Sequence, residues 1–109
     1  MTLLVDRPIC LLTVLALSVA AGHVCAQGNP QEGHAVALQV CSECHAIQKG
    51  QARSPNARSP TFVDLANAPG MTGTALFVAV TTPHAGMPMF ILTTEQRDNI
   101  IEYILGLKE

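Results

Sequence analysis

Apolar residues recur at helical spacing in four stretches of the chain, separated by polar, proline-containing segments. Over residues 31–41, Ala35, Val36, Leu38 and Val40 supply an apolar side. Asn29 is placed to cap this segment, Pro30 suits its first turn, and Glu32 lies at the positive end of the helix dipole. Residues 61–67 predict a short helix with Phe62 and Leu65 inward, ended by Pro69 and Gly70. Residues 72–81 carry Leu76, Phe77 and Val80 at helical spacing, with Thr72 or Thr74 as the cap. This segment is rich in β-branched residues, so a strand is the competing reading. Thr93 and Gln96 form a capping-box pattern that opens the last helix. There Ile100, Ile104 and Leu107 make one stripe, widened by Ile101 and Leu105. Residues 47–60 and 82–91 hold the breakers Gly50, Pro55, Pro60, Pro83, Gly86 and Pro88 and read as loops. The expected fold class is all-α: about four short helices with long connecting loops.

One dense apolar run, residues 9–21, stands apart from this pattern. It follows Asp6 and Arg7 and leads into Val24 and Ala26, residues suited to the small positions before a cleavage site. Residues 1–26 therefore read as a secretory signal peptide cut after Ala26, leaving a domain of residues 27–109. The rival reading is an uncleaved membrane anchor, but the run falls short of the ~20 residues needed to span a bilayer. Gly22, His23 and Val24 make a poor approach to Cys25 as a lipid-modified cysteine.

Composition sharpens the problem this domain must solve. It is small, and domains below roughly 70–80 residues rarely gain more than about 3–5 kcal/mol from a core alone. The chain has no Trp, one Tyr and three Phe, so aromatic filling is thin. A disulfide, metal or cofactor is expected to supply the rest. Residues 27–109 carry five basic and seven acidic side chains and no polybasic tract, which argues against a nucleic-acid partner.

After cleavage, only Cys41 and Cys44 remain of the four cysteines, within Cys41-Ser42-Glu43-Cys44-His45. A disulfide between residues three apart closes too small a ring to gain much. A thioredoxin-like dithiol belongs to a βαβ pattern, and none is evident here. Zinc needs four ligands; the cluster offers three, and only His34 and His84 remain among the mature histidines. The fourth reading fits. C-x-x-C-H is the attachment pattern of c-type haem, in which both thiols become thioethers and the histidine is the proximal iron ligand. Such attachment is completed outside the bacterial cytoplasm, in keeping with the export segment.

A ligand on the other face is sought among His34, His84, Met71, Met87 and Met89. Pro88 biases Met87 toward extended backbone, and Gly86 allows close approach, so Met87 leads. Met89 and His84 are the alternatives, and Met71 reads as core filler.

At this point the domain resembles the small bacterial monohaem class I c-type cytochromes. The likeness lies in a leading helix with Gly33 before the Cys-x-x-Cys-His motif, Pro60-Thr61-Phe62 in mid-chain, Met87-Pro88, and a last helix ending Ile100-Ile101-Glu102-Tyr103-Ile104-Leu105-Gly106-Leu107. The resemblance implies that the first and last helices cross near the haem, with Gly33 permitting the crossing and Tyr103 packing on it. It implies that the Pro60 carbonyl meets the second nitrogen of the proximal imidazole. No Trp is present to hold a haem propionate; Arg53 and Arg58 are the possible donors.

The function expected is a periplasmic one-electron carrier with one covalent haem c through Cys41 and Cys44 and iron held by His45 and Met87. Redox proteins, membrane-bound ones among them, are the expected partners. No catalytic group, small-molecule substrate or oligomer is expected, and His34, Glu32 and Asp64 read as surface residues. Lys49, Arg53 and Arg58 form a basic loop suited to steering toward an acidic partner, against a bland reading as solvated charges. Two other functions stay open: a haem subunit of a larger periplasmic dehydrogenase or oxidase complex, and a haem-based ligand sensor with an open sixth position.

Overall fold

The structure, a computed structural model, describes residues 27–109. Residues 1–26, expected to be a signal peptide or an uncleaved anchor, lie outside the described residues. Four helices follow in order: α1 Pro30–Val40, α2 Phe62–Asn67, α3 Gly73–Thr81 and α4 Thr94–Leu105. No strand occurs among the described residues, so the β-branched run in residues 72–81 is helical.

Each helix starts where a side chain takes over its orphan N–H groups. Asn29 Oδ1 accepts from Gln31 N at 2.9 Å. Thr61 Oγ1 accepts from Asp64 N at 3.0 Å, and Thr72 Oγ1 from Ala75 N at 3.1 Å. Thr93 and Gln96 close both halves of a capping box.

α1 packs across α4, and Gly33 sets how close they come. A Cβ at Gly33 would collide with the backbone carbonyl of Asn99 and lie 2.8 Å from Tyr103 Cβ. The crossing is fastened by Asn99, buried, whose Oδ1 accepts the Asn29 N–H at 2.6 Å. The buried face of α1 is thus Gly33 and Ala37, not the larger residues expected from apolar spacing. Close helix approach selects small residues, and Leu38 is left exposed.

The core joins Ala37, Ile47, Phe62, Ala66, Leu76, Ile100, Ile101, Ile104 and Leu107. Each large member gains about 1.5–3 kcal/mol from leaving water. α4 contributes its expected stripe, with Leu105 partly buried at the edge. From α3 only Leu76 is fully buried; Phe77 is exposed, with the Arg97 guanidinium 4.7 Å above its ring. Met71 packs against the core, as its reading as filler predicted.

Candidate haem site

The cysteine motif continues α1 by one turn. Cys41 N and Ser42 N both donate to the Ala37 carbonyl, and His45 N donates to the Cys41 carbonyl at 2.9 Å. Three-residue spacing on a helical turn puts Cys41 and Cys44 on one side. Both thiols are free, which removes the disulfide reading. Burial pushes the Cys41 thiol up to about 11, which disfavours the thiolate while the thiol is free. No third His, Cys, Asp or Glu gathers to make a metal cluster among the described residues, so zinc has no ligand set there.

The loop after the motif is built by polar side chains that satisfy its backbone. Gln51 Oε1 accepts from Ile47 N and Gln48 N, each at 2.9 Å. Ser54 Oγ accepts from Ala46 N at 3.0 Å, and Asn56 N donates to the Cys44 carbonyl at 3.2 Å. Phe62 N then donates to the Ala46 carbonyl at 2.8 Å, closing the loop at its base. This closure brings Pro60 to the motif: the Pro60 carbonyl oxygen lies 2.7 Å from His45 Nδ1. With Nδ1–H donating there, the tautomer is fixed and Nε2 carries the lone pair. The Phe62 ring lies 5.6 Å from the His45 ring and 6.4 Å from Tyr103, steadying the imidazole by ring contact.

The second loop carries the other candidate donors. His84 and Met87 are paired antiparallel across a tight turn, with Met87 N donating to the His84 carbonyl at 3.3 Å. Gly86 sits at φ +82, the conformation a type II turn demands at its third position. Met87 is half-buried; Met89 is 55% exposed and Ile91 fully exposed. With Leu38, these leave apolar area uncovered by protein.

The donor set fits a c-type haem. It comprises two thiols one turn apart, an adjacent imidazole with only Nε2 available and, on a separate loop, thioethers beside exposed apolar side chains.

His34, read as a surface residue, is half-buried. Its ring lies 5.2 Å from Tyr103, and Nε2 is 2.9 Å from Gln48 Nε2. Gln51, Ser54 and Asn99 were not singled out from the sequence. The signal available for the first two was their place among turn residues directly after the motif. Lys49, Arg53 and Arg58 are all exposed.

The chain is similar to known proteins along most of its length. The chain is matched over residues 28–104 by the family described as Cytochrome C oxidase, cbb3-type, subunit III. It is 30% identical to "Cytochrome c-552" of Bradyrhizobium diazoefficiens over 102 residues, which is 94% of each chain. No solved structure matches it. The chain belongs to this cytochrome c family and is a small class I c-type cytochrome. As such it is a haem-based electron carrier acting with redox partners.

Proposed function

We propose that the chain is a periplasmic one-electron carrier whose haem c is bonded through Cys41 and Cys44, with His45 and Met87 as the iron ligands. The observation that carries this is the 2.7 Å contact between His45 Nδ1 and the Pro60 carbonyl. It orients the imidazole and leaves Nε2 as the donor. The haem supplies the one-electron couple. The chain's residues hold and tune it. Met87 lends a thioether, which raises the potential relative to harder ligands. Apolar side chains along the two loops exclude water, which favours the less charged, reduced state. Both ligands stay fixed as charge changes, so little reorganisation accompanies transfer. Residues 1–26 serve export and are cleaved after Ala26. Among the described residues no helix is long and apolar enough to cross a membrane.

The test is the visible and near-infrared spectrum of the exported protein, oxidised and reduced, beside Met87→Ala. A low-spin ferric spectrum with a sulfur-to-iron band that the substitution removes is the expected result. A high-spin wild type, or a band that survives, refutes the ligand assignment.

A second reading is that the domain works as a subunit of an oxidase complex. Two observations favour it: the family's description as an oxidase subunit, and the exposure of Phe77 and Val78 on α3, at 42% and 51%. The full-length match to a cytochrome c-552 favours the free carrier. Co-purification with a membrane oxidase from the native host separates the two.

A further inference from the structure

The His84–Met87 turn presents two iron donors. Antiparallel pairing sets the two residues opposite each other, on the same face of the turn. His84 is prepared as a ligand in the same way as His45. Its Nδ1 is 3.1 Å from the Thr82 carbonyl, which fixes the tautomer, and Nε2 has no hydrogen-bond partner among the described residues. A backbone carbonyl on one ring nitrogen is the usual support for a histidine that binds metal through the other. Gly86 closes the turn at φ +82, with no atom within 4 Å of a would-be Cβ.

From this pairing we infer that His84 is a reserve sixth ligand, which takes the iron through Nε2 when the Met87 thioether is lost. The inference rests on Met87 being the resident ligand. It has a functional consequence: loss of the thioether yields a closed, low-potential haem protein and not an open site that binds small molecules. Imidazole in place of thioether lowers the potential because a stronger σ-donor favours ferric iron.

The experiment compares four holoproteins: wild type, Met87→Ala, Met87→Leu and Met87→Ala/His84→Ala. The leucine variant keeps side-chain bulk, so that altered packing is not read as a lost ligand. Electron paramagnetic resonance, the near-infrared band, the midpoint potential and the rate of cyanide binding are read on each. In wild type the sulfur-to-iron band is present. In both single variants it disappears, the ferric iron stays low-spin with a bis-imidazole signal, the potential falls, and cyanide binds slowly. In the double variant the iron becomes high-spin and cyanide binds fast. High-spin single variants overturn the inference while leaving Met87 as ligand. So does a low-spin state that survives removal of His84. A wild type without the band overturns the parent reading, and the inference with it.

Discussion

Tyr103 donates its phenol proton to the carbonyl oxygen of Ile47 at 2.8 Å, across 56 residues of chain. The bond ties α4 to the segment two residues beyond His45. Ile47 is buried, so its carbonyl has no water to fall back on. Tyr103→Phe leaves that acceptor bare at a cost of about 1–3 kcal/mol. Denaturant unfolding of the holoprotein will show it as a lowered midpoint with unchanged slope.

The same phenol predicts a pH effect. Burial holds Tyr103 above its ordinary value. A group whose folded value is raised contributes stability that is full below its unfolded value, about 10 for tyrosine, and lost as pH climbs through the folded value. Tyr103 is the single tyrosine of the chain, so tyrosinate absorbance reports it alone. The difference titration will have a higher midpoint in native than in denatured protein. Equal midpoints would show that the phenol is solvated.

Gly33→Ala tests the helix crossing. The added methyl meets the Asn99 carbonyl, which belongs to a helix backbone and cannot step aside cheaply. Overpacking of this kind costs about 1–3 kcal/mol, occasionally more. A loss of stability with a shifted Soret circular dichroism is expected. Wild-type stability would mean that α1 slides along α4 without loss.

Asn99 anchors the same crossing through a polar bond. Asn99→Ala removes the acceptor of the Asn29 N–H and costs about 0.5–1.5 kcal/mol, because Asn29 is exposed and water replaces the bond in part. Thermal unfolding of Asn99→Ala beside wild type will show the loss.

Reversing Lys49, Arg53 and Arg58 to glutamate tests the basic loop. Of the three, Lys49 has an acidic neighbour, Glu109 at 4.0 Å, in an exposed pair worth at most about 1 kcal/mol. The fold is expected to tolerate the change. The rate of electron transfer to an acidic redox partner will fall at low salt, and its decrease with ionic strength will vanish. An unaltered salt dependence removes the loop from docking.

Helix starts were legible because one side chain decides each of them. Asn29, Thr61, Thr72 and Thr93 meet orphan N–H groups within three residues, so local sequence suffices. Burial was less legible. In α1 the apolar spacing pointed to Leu38, whereas the partner helix comes closest over Gly33 and Ala37. Which face wins depends on α4, some sixty residues away. Spacing within α3 likewise does not encode the exposure of Phe77, whose ring has Arg97 of α4 as a cationic neighbour at the surface. At the site, the motif was readable as five consecutive residues. The Gln51, Ser54 and Asn99 bonds were not, because each pairs a common polar side chain with a backbone group chosen by the fold.

The crossing of α1 with α4 also fixes an order of events in the life of the chain. Ile100, Ile101, Ile104 and Leu107 form much of the core, and α1 has no surface to close against until they have been synthesised. Contacts between such distant segments come late, after the entropy of closing a long loop has been met. Until then the Cys41 thiol stands in water; once the helices close it is half-buried, and burial raises its pKa while it is free. A chain whose helices have not yet closed therefore offers sulfur more readily for bond formation than one in which they have.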